Sequence, residues 1–155
     1  MISSAAFSRN QLYRYWLKRE WDCALPSCAF IGLNPSTADA SCDDPTIRRI
    51  IGFAQSWGYG SVTVVNLFAY RATQPSVLKA AESPVGPRNN YWIRRVTAEA
   101  DTVVAAWGNH GLLMGRHKWT LGCIDSLYCL GITKQGQPRH PLYCPRDAIL
   151  EPLRG

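Results

Sequence analysis

Four short apolar runs in this chain each end in polar residues, three of them beside glycine or proline. Cys28-Ala29-Phe30-Ile31 leads into Gly32-Leu33-Asn34-Pro35-Ser36-Thr37, and Val62-Thr63-Val64-Val65 leads into Asn66-Leu67-Phe68-Ala69-Tyr70-Arg71. Thr102-Val103-Val104-Ala105-Ala106 leads into Trp107-Gly108-Asn109-His110-Gly111. Leu127-Tyr128-Cys129-Leu130 is followed, across a short loop, by Gln137-Pro138-Arg139-His140-Pro141-Leu142-Tyr143. The side chains able to do chemistry are the amides of Asn34 and Asn66 and the imidazole of His140. An amide both donates and accepts, so it can grip a polar edge or hold a water, but it is no strong base. A neutral imidazole can donate a hydrogen bond near pH 7. The carboxylates Asp43 and Asp44 are the alternative acid or base. Each residue also has a structural reading. Asn34 can cap its turn, Asn66 can close a strand end, and His140 can be an exposed loop residue. Asp43 and Asp44 can be turn residues that favour the positive start of a helix.

The elements that would position these groups follow from the pattern. The four runs are continuously apolar rather than alternating, which predicts strands buried on both faces. Helical patterns lie between them, so the fold class is α/β with a mainly parallel sheet. Ligands bind outside the carboxyl ends of strands in such a sheet, which puts all four polar stations on one edge. Thr46 can cap a first helix carrying Ile47, Ile50, Ile51, Ala54 and Trp57 on one face, with Gly58 at its end. A second helix is predicted from about Asn89 to Glu99, a third after Gly108 and a short last one after Pro145. Leu12 to Trp21 reads as an edge strand, with a helix as the alternative.

With 155 residues the chain is long enough for one domain with a full core, taken as residues 1–155. It has no apolar run of the ~18 residues a spanning helix needs and no signal-peptide pattern, so a cytoplasmic location and no membrane partner are expected. The six cysteines form no C-x-x-C pair, and reduced thiols with no metal and no cofactor are expected. The net charge of +6 suits a polyanionic partner. Between His110 and Arg146 there are five Lys/Arg and three histidines against one acid, Asp125. On charge alone, an ordinary solvated surface is the favoured explanation.

The runs Phe30–Asp39, Asp43–Arg49, Val65–Thr73 and Gly136–Tyr143 closely resemble an uncharacterised bacterial family, domain of unknown function 1643, over roughly residues 12–153. The stations also bear a more distant resemblance to the uracil-DNA glycosylase superfamily. Gly32-Leu33-Asn34-Pro35 is similar to its first motif and Asn66 to its base-reading amide. Trp107-Gly108 and His140-Pro141 are similar to its later motifs. That resemblance implies a three-layer α/β/α fold with a central four-stranded, mainly parallel sheet, leaving room for an extra N-terminal edge strand. It implies a substrate site of Gly32, Leu33, Pro35, Ser36, Asn66, Phe68 and Tyr70, with Asn34 and His140 catalytic. Two features depart from the superfamily. Leu142-Tyr143-Cys144 stand where a Ser-Pro is usual, although Leu142 or Tyr143 could serve as a wedge. No stacking aromatic lies between Ser36 and Thr46, and Phe68 or Tyr70 is the candidate substitute.

The activity so implied is hydrolysis of the N-glycosidic bond of a damaged or modified base in DNA. Asn34 would position water, His140 would donate to the oxyanion growing on the departing base, and Asn66 would read the base edge. Arg71, Arg116 and Arg139 are the candidate phosphate contacts. DNA is the expected partner, and a monomer is expected. Two alternatives stand beside this reading. One is a non-catalytic nucleic-acid or nucleotide-binding module. The other is an enzyme acting on a small nucleoside or nucleotide, favoured by the acidic loop residues Asp39, Asp43 and Asp44.

Overall fold

The computed structural model describes residues 1–153, so the last two residues of the expected domain lie outside the described residues. The four apolar runs form β3 (Ser27–Gly32), β4 (Ser61–Asn66), β5 (Thr102–Ala105) and β6 (Tyr128–Cys129), all parallel and ordered β4-β3-β5-β6. The sheet is nonetheless seven-stranded, not four-stranded. Antiparallel β2 (Arg14–Glu20) and then β1 (Ile2–Phe7) extend it beyond β4, and β7 (Glu151–Pro152) extends it beyond β6. The segment expected at the edge is therefore an inner strand. Its register, Leu17 opposite Val64, leaves its far side to β1, whose Ser-Ser-Ala-Ala centre carries little apolar signal.

Helices cover both faces. On one, α1 (Pro45–Ser56) sets Ile47, Ile50, Phe53 and Ala54 against Phe30, Val62, Val64, Val104 and Leu17. Helical spacing brings these residues onto one stripe. The cap is Asp44, not Thr46. Its carboxylate accepts from the Ile47 N–H at 2.9 Å, and Pro45 occupies the first helical position, where its missing N–H costs nothing. The chain leaves α1 through Gly58 at φ +87°. Trp57 stacks on Phe30, with centroids 6.0 Å apart.

On the other face α3 (Asn89–Glu99), with Ile93 at its centre, packs on Ile31, Val65, Val103 and Ala105. A kinked 3-10 segment, Asn109–Gly115, runs into α4 (Arg116–Cys123), whose Trp119 and Leu121 join the same core. A further helix, α2 (Pro75–Ala80), was not foreseen, because one turn and a half with a single buried residue, Leu78, shows no periodicity. The helix expected after Pro145 is absent. That stretch is a turn leading to β7, and the nearest helical piece is the 3-10 turn Pro141–Tyr143. Among the described residues no helix is long and apolar enough to cross a membrane.

Arg19 ties the acidic loop to the sheet. Its Nε donates to Asp43 at 2.9 Å, and its Nη2 donates to the Asp39 and Cys42 carbonyls at 2.6 and 3.4 Å. The Arg19 side chain is 1% exposed, so removing it takes a charged donor from the Asp43 carboxylate and from the loop carbonyls. Arg19→Met is expected to lower stability by about 2 kcal/mol in urea unfolding. An unchanged midpoint would show that this clasp contributes nothing.

Candidate functional site

The loops after β3, β4, β5 and β6 meet at one edge of the sheet around a cavity of about 770 Å³. Gly32, Leu33, Asn34, Pro35, Ser36, Asn66, Trp107, Gly108, Arg139 and His140 all line it, as does Asp44. The first two loops are laced together by backbone bonds. Leu67 donates to Gly32 at 2.9 Å, Phe68 to Leu33 at 2.9 Å, and Ala72 to Pro35 at 3.0 Å. The last two are laced the same way. Gly108 N–H donates to the Pro138 carbonyl at 2.9 Å, and the buried Trp107 indole donates to Gln137 Oε1 at 2.9 Å.

Asn34 is both structural and available. Its Nδ2 donates to the carbonyls of Pro35 and Ala72, at 3.1 and 2.8 Å, which holds the turn. Its Oδ1 makes no hydrogen bond within the described residues, so what it offers the cavity is an acceptor. Asn66 offers the complement. It is 3% exposed, and its Nδ2 has no partner among the described residues. Its Oδ1 lies where a Cβ on Gly32 would come within 2.6 Å, so only glycine at position 32 lets the amide take this place. Asn89, at the start of α3, braces the strand end by donating to the carbonyls of Asn66 and Leu67.

His140 precedes the 3-10 turn Pro141–Tyr143, and its Nδ1 accepts from the Leu142 N–H at 3.2 Å. A ring that accepts at Nδ1 carries its proton on Nε2, so a neutral His140 is a donor there. Burial pulls its pKa below the ordinary 6.5, against an upward push from the Asp44 carboxylate. Asp44 has both oxygens engaged, with the N–H groups of Ile47 and Ala38 at 2.9 and 3.3 Å.

The cavity also contains a cation missed by reading only the strands' carboxyl ends. Arg14 opens β2, and because β2 runs antiparallel to β4, its start lies beside β4's end. Its backbone N–H donates to Ala69 and its Nη1 to the Ala38 carbonyl at 3.1 Å. Burial lowers its pKa to about 10, opposed by Asp44 and assisted by Arg71 and Arg19, so it stays charged at neutral pH.

Several expected site residues lie elsewhere. Phe68 is fully buried in the core under α3, and Tyr70 is half-buried edge-on to Tyr13. Neither lines the cavity; its aromatics include Trp107 and Tyr143. Asp43 is held by Arg19. Arg71 lies over the Phe7 ring at 4.9 Å and donates to the Gln11 carbonyl, outside this cavity. Arg116 is buried, and it donates to Leu67 O and Asn90 Oδ1 at 2.9 and 2.8 Å. It pins α4 to the β4 loop and is not placed to meet a phosphate. Arg139 alone of the three expected phosphate contacts lines the cavity, exposed at its rim, with Nη2 donating to the Tyr143 carbonyl. Burial pushes the Cys28 thiol up to about 12, which makes it inert as a nucleophile. Among the described residues no group of three or more His, Cys, Asp or Glu could hold a metal ion.

Residues 14–142 match the family described as Protein of unknown function (DUF1643). The chain belongs to that family. The DUF1643 match opens at Arg14 and takes in His140, so the cavity lies almost wholly inside it. No curated protein and no solved structure matches the chain, so the likeness to the uracil-DNA glycosylases rests on the motifs alone.

Two outcomes test this geometry. The His140 ring is expected to titrate below 6.5 by NMR, with the Nε2–H tautomer above that midpoint. The fold favours the neutral ring. Its contribution to stability is therefore complete above the unfolded pKa and is lost as pH falls through the folded one. A midpoint at or above 6.5 would contradict the burial. Gly32→Ala is expected to displace the Asn66 amide, read as a shift of its side-chain NH2 resonances. An unmoved pair would show that position 32 tolerates a methyl.

Proposed function

We propose that this cavity holds a nucleobase and hydrolyses its N-glycosidic bond, the substrate being a damaged or modified base in DNA. The observation that carries the reading is that Asn34, Asn66 and His140, which come from three separate stations, line one cavity with complementary free groups. The transition state puts positive character on the sugar and negative charge on the leaving base. His140 Nε2–H is the donor for that charge, and the unpartnered Asn66 Nδ2 donates to a carbonyl on the base edge. Asn34 Oδ1 accepts from the attacking water. The water oxygen bonds to the anomeric carbon, the glycosidic electron pair leaves with the base, and the base gains the water's proton. An amide is a poor base, so such a reaction would be slower than one with a carboxylate in that place. The part played by a stacking aromatic would fall to the exposed Tyr143, since Trp107 is buried.

A second reading, a free nucleoside or nucleotide as substrate, draws on Arg71 and Arg116 being engaged elsewhere, which thins the basic surface for a long polyanion. The acidic-loop argument for it is weaker, since Asp43 is neutralised by Arg19.

Purified protein is expected to release free base from at least one oligonucleotide in a panel of deaminated and modified bases. His140→Ala should reduce that rate about 10²–10³-fold. Base release from free nucleosides or nucleotides alone would favour the second reading. Salt-sensitive binding with no release from any substrate would leave a binding module and sink the hydrolase.

A further inference from the structure

We infer that Arg14 forms an anion subsite in this cavity and that the substrate brings a phosphate, carried on its sugar, to the guanidinium. The inference rests on the reading that the cavity binds a nucleotide unit. Arg14 is 2% exposed, yet among the described residues its one side-chain hydrogen bond runs from Nη1 to the Ala38 carbonyl. Its Nε is buried, and neither Nε nor Nη2 has a partner among the described residues. Nε and Nη2 share one edge of the planar fork, the edge that meets two oxygens of a phosphate side by side. Among the described residues the ion pairs are Arg19–Asp43 and Arg95–Glu99, so no carboxylate lies within 4.0 Å of Arg14.

A buried cation is normally paired, and here no carboxylate among the described residues is in contact with it. Asp44 is near enough to act on Arg14 through space, but its oxygens already accept from two backbone N–H groups. The other charged groups on the wall are Lys134 and Arg139, with His110 and His140 beside them, so cations outnumber the single carboxylate. Asn66 Nδ2 and His140 Nε2–H suit the base, which leaves Arg14 for another part of the same molecule. A phosphate ester next to the sugar is that part, whether it comes from a DNA strand or a free nucleotide.

The test is calorimetric titration of the intact protein with inorganic phosphate, deoxyuridine 5′-monophosphate, deoxyuridine and a short uracil-containing single strand. Phosphate is expected to bind and to compete with the monophosphate, and the monophosphate to bind at least tenfold more tightly than the nucleoside. Arg14→Gln should abolish that advantage, and Arg14→Lys should restore part of it. The Arg14 Nε–H resonance of the wild type should move when phosphate is added, a readout that does not depend on the variants folding. An Nε–H that does not move, or a nucleoside that binds as tightly as its monophosphate, overturns the subsite. Loss with Arg14→Gln of binding to both strand and monophosphate identifies DNA as the source; loss for the monophosphate alone identifies the free nucleotide. Phosphate binding at Arg14 without base release from any substrate would retain the subsite and remove the hydrolase, so the two failures are separable.

Discussion

The site depends on the register between β3 and β4. Gly32 is paired with Asn66 at the last rung of the parallel ladder, and the next residue, Leu67, bonds back to the Gly32 carbonyl. That rung decides where two stations begin. It also demands a glycine, because the Asn66 amide occupies the volume a side chain at position 32 would need. A slip of one residue would turn the amide to the opposite face of the sheet. The apolar runs behind the rung prevent such a slip, since both faces of β3 and β4 are packed.

Polar groups around this rung divide into those the fold uses and those it leaves open. Arg19, Arg116 and Asn89 are buried polar side chains, and each bonds a loop or strand end that would otherwise carry unmet carbonyls. Asn66 Nδ2 and Arg14 Nε are also buried and have no partner among the described residues. Folded proteins satisfy nearly all their buried donors. Trp16 Nε1, Asn89 Oδ1 and His117 Nδ1 are also buried without a partner among the described residues, but Asn66 and Arg14 are the two of these five residues that line the cavity.

Much of this was legible in the residues. Continuous apolar runs marked the parallel quartet, because strands covered on both faces need no polar side. Ile47, Ile50 and Ala54 marked α1 by their spacing, and the polar stations, three of them beside glycine or proline, marked the cavity's edge. What was hidden was hidden for physical reasons. β1 and β7 are outer strands with little apolar surface, so their patterns are weak. Nothing local separates Arg116, which braces α4, from an arginine that meets solvent. Asp43 and Asp44 are adjacent and chemically alike, and only the position of Arg19 decides which is paired. Arg14 was hidden by direction. The rule that ligands sit beyond strand carboxyl ends holds for parallel strands, and an antiparallel neighbour brings its first residue to that edge instead.

The cavity draws on residues near both ends of the matched chain, from Arg14 to Tyr143. Few of its walls are neighbours in sequence, so it closes only after long-range pairing is complete. Topology of this kind slows assembly relative to helix formation. β2 can join β1 early, but its other edge must wait for β4, about 45 residues later along the ribosome's output. The imidazole sits on a loop tied to β5's end through Gly108, Trp107 and Asn109, and to α1 through Arg49, which donates to the Cys144 carbonyl at 2.8 Å. Fraying of that loop would carry the ring away while the sheet stayed intact, since proteins open locally at a lower cost than globally.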